Sequence, residues 1–167
     1  ERFYTKNGVP INEDKEWDYE NRYKITEVAE QDCYYMKTGY KTARLNIARE
    51  PRFYASLSFD GAIVYGNGIV GDNDYSKLTY AQMKKGQPGG MIASQCYSIT
   101  GYLPKKLVAV ETVGNQGTFT SYRYSFPVIR LADLYLLYAE ALNEIKSSPD
   151  AEVYQWIDKV RKRASLK

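Results

Sequence analysis

A chain of 167 residues with 44% hydrophobic content is long enough for one domain with one core, and too short to argue for two. Its 23 basic and 20 acidic residues balance to +3 and are scattered rather than clustered, which leaves no nucleic-acid footprint. With no histidine at all, Ser-His-Asp and Cys-His nucleophiles and the usual histidine-ligated zinc are excluded, and nothing in the sequence asks for a metal or another cofactor.

Residues 1–24 combine Gly8, Pro10 and a dense run of charges and aromatics, Asp14-Lys15-Glu16-Trp17-Asp18-Tyr19, with neither a helical nor an alternating period, and read as an ordered loop. Residues 40–49 bring Ala43, Ile47 and Ala48 close to one face of a short helix. Pro51 should end it, because the residue before a proline is pushed out of the helical region. Residues 53–65 are aromatic and β-branched on both sides of Asp60-Gly61, the signature of a β-hairpin with two short strands. The stretch 66–74, with Gly66, Gly68 and Gly71 among turn formers, reads as a loop, and Gln87-Pro88-Gly89-Gly90 as a second turn.

The last forty or so residues differ in kind. Leu131, Leu134, Tyr135, Tyr138, Leu142 and Ile145 recur at the spacing of one helix face, with Asp133, Glu140 and Glu144 on another. Ser147-Ser148-Pro149-Asp150 stops that helix and starts the next, with Ser148 as N-cap, Pro149 at the first helical position, and Asp150 and Glu152 in the first turn. Val153, Ile157, Val160 and Ala164 give the second helix its apolar face, and the basic run from Lys159 to Arg163 complements its C-terminal dipole. Such an αα-hairpin is the unit of tetratricopeptide-like solenoids and needs neighbours to bury both faces.

The expected architecture is therefore mainly α: a loop-rich irregular region over residues 1–125 holding a short β-hairpin, then the αα-hairpin over residues 126–167, the whole forming one structural domain. No apolar run approaches the roughly 20 residues needed to span a bilayer. The chain opens at Glu1 without a methionine and stops at Lys167 in mid-pattern, so both ends read as truncations and the missing signal peptide says nothing about location. Cys33 and Cys96 lie far apart with no CxxC; one disulfide in an oxidising compartment and two free, buried thiols both fit.

Tyrosine is the compositional signal that most needs a reason: 17 residues, alongside Trp17 and Trp156. Sugar rings stack their apolar C–H faces on aromatic planes while nearby amides and acids bind hydroxyls, so aromatic loops with Asn and Asp suit glycans. Trp17 and Tyr19, then Tyr65, Asn67, Asp72, Asn73 and Tyr75, are the candidate ligand-binding residues, weighed against ordinary packing, to which Tyr135, Tyr138 and Tyr154 belong by spacing. Asp72-Asn73-Asp74 starts like a calcium loop but lacks the glycine at its sixth position and the glutamate at its twelfth, so an Asx turn is the better reading. Arg49-Glu50-Pro51-Arg52 offers two guanidinium forks to an anion, yet internal pairing with acids such as Glu50 to fix a turn is the stronger reading. Asp133 and Glu140 stand about 10 Å apart along the helix axis, too far for a glycosidase pair, whereas Arg130 and Asp133 make an ordinary i, i+3 ion pair. No catalytic pair is marked among Glu13, Asp14, Asp18 and Asp74.

Three stretches, in order, resemble the SusD/RagB family. They are Phe3-Tyr4-Thr5-Lys6-Asn7-Gly8-Val9-Pro10-Ile11-Asn12-Glu13-Asp14-Lys15; then Asn46-Ile47-Ala48-Arg49-Glu50-Pro51-Arg52-Phe53-Tyr54-Ala55-Ser56-Leu57 with Thr100-Gly101-Tyr102-Leu103-Pro104-Lys105-Lys106; then Phe126-Pro127-Val128-Ile129-Arg130-Leu131-Ala132-Asp133-Leu134-Tyr135-Leu136-Leu137-Tyr138-Ala139-Glu140-Ala141-Leu142-Asn143-Glu144 with Val160-Arg161-Lys162-Arg163-Ala164. Members of this family are longer, so the resemblance makes the chain a C-terminal region, with many ligand contacts upstream of Glu1. It implies a tetratricopeptide-like scaffold and non-catalytic capture of an oligosaccharide, or in some relatives a peptide. It further implies an outer-membrane, cell-surface lipoprotein whose lipid anchor lies outside this chain, working beside a SusC-type TonB-dependent transporter, with no nucleic acid and no cofactor. The rivals are a glycoside hydrolase and a helical-repeat interaction module, the latter weakened by the lack of a 34-residue period along the chain.

Overall fold

The computed structural model describes residues 3–65, 78–91, 97–106, 109–115, 118–123 and 125–164. The chain divides into two compact units, Glu1–Arg123 and Tyr124–Lys167.

In the first unit regular structure is short and mostly β. Strands β1 (Ile25–Glu27) and β2 (Lys41–Ala43) pair antiparallel through Thr26 and Thr42. Helix α1 (Pro51–Ser56) runs directly into β3 (Leu57–Phe59), which pairs with β6 (Tyr102–Pro104), Ser58 opposite Leu103. Strand β4 (Ile63–Val64) pairs with β5 (Thr79–Tyr80), and β7 (Val113–Asn115) with β8 (Thr118–Thr120).

Two sequence expectations are corrected here. The helix expected over residues 40–49 is instead strand β2, a 3-10 turn at Arg44–Asn46, and extended backbone at Ile47. Tertiary bonding overrides the weak helical pattern: the Thr42 hydroxyl donates to the distant Asp60 carbonyl at 2.6 Å, and the Asn46 amide turns back locally onto Thr42 Oγ1 at 2.9 Å. Pro51 starts a helix rather than ending one, because its missing N–H costs nothing at the first helical position. The second correction concerns residues 53–65. The Asp60-Gly61 turn forms, closed by the Ala62 N–H on the Phe59 carbonyl at 2.9 Å, but the strands on its two sides go to different partners, β3 to β6 and β4 to β5. Gly61 sits at φ +91°, and a Cβ there would lie 2.6 Å from the Tyr40 ring. That ring is fixed by its own hydroxyl on Asp60 Oδ1 at 2.8 Å. The turn expected at residues 87–90 forms, with the Gly90 N–H on the Gln87 carbonyl.

The core of this unit is aromatic: Val28, Met36, Phe53, Tyr54, Phe59 and Ala62, with Phe3, Tyr35 and Tyr102 packed against them. Tyr35 stacks on Tyr54 at 4.1 Å, and Phe53 on Phe59 at 5.1 Å. Part of the tyrosine content is thereby explained as packing with a tethered hydroxyl: Tyr54 donates to the Asn46 carbonyl and Tyr102 to Asn46 Oδ1.

The chain's beginning is pinned to this core through Arg49 and Glu50. Glu50 is fully buried; it accepts the Tyr4 N–H at 2.9 Å and the Arg52 guanidinium at 2.7 and 2.8 Å. Arg52 thus pairs with Glu50 as expected, but Arg49 is used differently, donating to the carbonyls of Tyr4, Leu45 and Phe3 at 3.3, 3.0 and 2.8 Å. Preceding it, Ala48 takes a positive φ of 55°, which orients the strand-like bridge between Thr5 and Arg49.

The second unit is the helical pair, α2 (Leu131–Ile145) and α3 (Ala151–Arg163). Ala139, Leu142 and Val153 are buried between them, with Trp156 meeting Tyr135 at 5.0 Å and Tyr138 at 5.4 Å. The buried stripe of α2 is narrower than the periodicity suggests. Leu131, Leu134 and Ile145 stay exposed and Tyr138 is covered only at its contact with Trp156, because α3 covers mainly the line through Tyr135, Ala139 and Leu142. Arg130 and Asp133 make the expected pair at 3.5 Å. The N-cap of α3 is Asp150, not Ser148: its carboxylate accepts the N–H groups of Glu152 and Val153 at 3.1 and 3.2 Å, and Lys146 locks it at 2.7 Å. Hydrogen bonds from Lys146 first, then from Val153, hold the Asp150 carboxyl below its ordinary range. The basic residues Arg161, Lys162 and Arg163 do fall in the last turn of α3.

Replacing Arg49 with lysine keeps the charge but removes the fork, leaving at least one of its part-buried carbonyls without that donor. Urea denaturation of the full-length protein should show a loss on the order of 3 kcal/mol, against less than about 1 kcal/mol for Arg52→Lys, whose head is half exposed.

Candidate functional site

Among the described residues of the first unit are two concavities, one bounded by Trp17 and the other by Tyr65, both singled out from the sequence. The smaller, about 230 Å³, is polar and bounded by Thr5, Asn7, Asp14, Glu16, Trp17 and Arg44. Asp14 is tied down on all sides: Thr5 Oγ1 and Asn7 Nδ2 donate to its Oδ2, and the Glu16 N–H to its Oδ1 at 2.9 Å. The Thr5 hydroxyl is the main reason its carboxyl stays below the ordinary range, outweighing desolvation. Asp18 is likewise held low, chiefly by Asn21. Neither can store the proton that a glycosidase's general acid needs at neutral pH.

Trp17 is only 7% exposed, and its indole N–H donates to the Ile47 carbonyl at 3.1 Å. Tyr19 lies 6.4 Å from it, ring to ring, with the Arg22 guanidinium 4.2 Å over the tyrosine ring. The two residues are thus neighbours, one buried as a clamp and the other covered on one face by a cation.

The larger concavity is a groove of about 890 Å³ at the place where the chain forks. Ser58 of β3 and Leu103 and Pro104 of β6 form one wall; Val64 and Tyr65 at the end of β4, with Ala81 beyond β5, form the other. The stacked pair Tyr35 and Tyr54 contributes to the lining from the core. Tyr65 is 38% exposed, and its hydroxyl donates to the Tyr34 carbonyl. Burial raises the Tyr65 phenol above its ordinary range, and pushes Tyr54 further still.

The groove's cation is Lys105, directly after β6. Its ammonium donates to the Ile63 carbonyl at 2.8 Å and the Tyr54 carbonyl at 3.3 Å, bridging the β4 side to the end of α1. Desolvation lowers its pKa to about 8. Among the described residues, no side chain lining the groove carries a carboxylate. Of the sequence candidates, Tyr65 alone lies here; Asn67, Asp72, Asn73 and Tyr75, with the loop and the weak calcium reading attached to them, fall outside the described residues. Lys105 and the Tyr34-Tyr35 doublet were not selected from the sequence, because what makes them a site is the distant pairing of β3 with β6. Cys33 is half-buried and free, and Cys96 lies outside the described residues. No group of acids and cysteines among the described residues forms a metal cluster, and no described helix is long and apolar enough to cross a membrane.

The model of the SusD family matches residues 1–167. Among solved structures, BT4246 in its selenomethionine form superposes with a TM-score of 0.68 at 26% identity, covering 99% of this chain and 27% of that one. A second structure of BT4246 gives a TM-score of 0.67 at 26% identity, covering 99% and 26%. This chain therefore spans about a quarter of the length of the solved relatives it matches. No curated protein matches it. A family match along the full sequence, on a fold shared over nearly every residue, makes this chain a member of the SusD family.

Proposed function

We propose that the protein containing this chain is a non-catalytic nutrient-binding lipoprotein of the outer-membrane surface, which captures an oligosaccharide and delivers it to a SusC-type TonB-dependent transporter. Family membership supports the general role, and the observation that carries the site is the aromatic groove of about 890 Å³, whose lining holds no carboxylate among the described residues. Such a surface has aromatic planes for the apolar faces of sugar rings, and no pair of acids for hydrolysis stands among the described residues that line it. In this reading Tyr65 is the contact this chain offers to ligand, while Trp17 and Tyr19 shape the loop that precedes it. The exposed stripe of Leu131, Leu134 and Ile145 supports a tetratricopeptide-like role for α2 and α3, stacking against further helices of the same protein rather than touching ligand.

Glycan affinity electrophoresis of the full-length protein tests the site. Tyr65→Ala should weaken binding about tenfold, the loss of roughly 1.4 kcal/mol expected when one stacking ring is removed. Trp17→Phe should leave affinity unchanged while lowering stability by about 1 kcal/mol through the lost bond to Ile47. Unchanged retardation of Tyr65→Ala would remove this groove from ligand binding.

Lys105 supplies a second check, on the fold that shapes the groove. Its folded pKa of about 8 lies below the ordinary 10.5, so the cost of burying its charge is full below pH 8 and is relieved as pH rises toward 10.5. Measured by urea denaturation, wild-type stability should therefore rise relative to Lys105→Met across that interval and stay parallel to it below.

A further inference from the structure

The groove is apolar apart from a few groups, and its charge is unbalanced. An ammonium offers three donors, and Lys105 places two of them on the carbonyls of Ile63 and Tyr54. The third has no acceptor among the described residues, and no carboxylate there makes an ion pair with Lys105. The other described lysines near acids differ on this point: Lys84 reaches Asp60 at 3.4 Å, and Lys146 reaches Asp150 and Glu152.

We infer that the groove selects acidic oligosaccharides, the anionic substituent of one sugar meeting the Lys105 ammonium while a ring lies against Tyr65. This deepens the capture reading and rests on it. A neutral hydroxyl would accept the third N–H but would leave a desolvated positive charge uncompensated, whereas an anion both accepts the bond and neutralises the charge. Lysine acts as a point charge, without the planar fork that would demand a carboxylate, so uronate and sulfate share the required chemistry. The lowered pKa of Lys105 agrees with a site that lacks its counter-charge until ligand arrives.

The test compares three glycan probes of equal length, and an acidic peptide, on the full-length protein by calorimetry: the glycans are a neutral malto-oligosaccharide, an oligogalacturonide, and a carrageenan oligosaccharide that carries sulfate without uronate. Both acidic probes, or one of them, should bind at least about tenfold tighter than the neutral one near pH 7. If one does, it identifies the anion as uronate or sulfate. Lys105→Met should erase that preference, bringing the acidic glycans down to the affinity of the neutral one, and Lys105→Arg should retain it. Lys105→Gln, which keeps an N–H donor for the two carbonyls without the charge, serves if the methionine variant does not fold. Equal binding of acidic and neutral probes by wild type overturns the inference and leaves capture through Tyr65 standing. So does a preference that survives loss of the Lys105 charge. Binding of an acidic peptide with no glycan bound at all overturns both.

Discussion

Everything in the first unit depends on one buried polar knot. Arg49 and Glu50 fasten the backbone of residues 3–5 to the segment entering α1, with side-chain and main-chain bonds spanning about 45 residues of sequence. A fully buried glutamate is tolerable only where its oxygens are paired, and here the Tyr4 N–H and the Arg52 fork do so. The knot fixes Phe3 edge-on to Phe53 at 5.7 Å and sets the direction of α1, so that Phe53 points into the core and Tyr54 stands between core and groove. The groove thus takes its frame from a cluster that stands outside its lining.

A consequence for the aromatic composition follows. Seventeen tyrosines would be a costly excess in a core that only needed apolar area, since each buried hydroxyl must find a partner. Tyr40, Tyr54, Tyr65 and Tyr102 each tie together segments distant in sequence or bend tightly to a near neighbour. In a unit whose strands are two or three residues long, ladders alone supply few bonds, and these phenols supply long-range ones in their place.

What the sequence revealed and what it hid divide along the range of the interactions. The helices α2 and α3 are written locally, in a 3.6-residue period and polar stop signals, and both appear where the pattern places them; only the cap moved, because an aspartate next to Lys146 outcompetes a serine two positions earlier. The turn at Asp60-Gly61 was legible for the same reason. Its strands were not, since β3 finds β6 across more than forty residues and no local pattern announces that choice over the nearer hairpin. The site follows the same division: Tyr65 stood out as an aromatic beside a loop, while Lys105 acquires its meaning only when β6 brings it under the Ile63 carbonyl. Trp17 gave a true signal of an aromatic among amides and acids, and the fold turned that ring inward to clamp Ile47.

The position of Lys105 also has a bearing on covalent chemistry. An amine acylates as its free base, and lysines in water are almost wholly protonated at neutral pH. With a pKa of about 8, Lys105 is still mostly charged there but holds a larger free-base fraction than an ordinary lysine, while Lys84 and Lys146 are pushed the other way by their acidic neighbours. An amine-selective acylating reagent applied near neutrality therefore meets, at Lys105, an amine made more nucleophilic than an ordinary lysine and already seated in the groove, and a reporter attached there would sit on the surface proposed to hold the sugar.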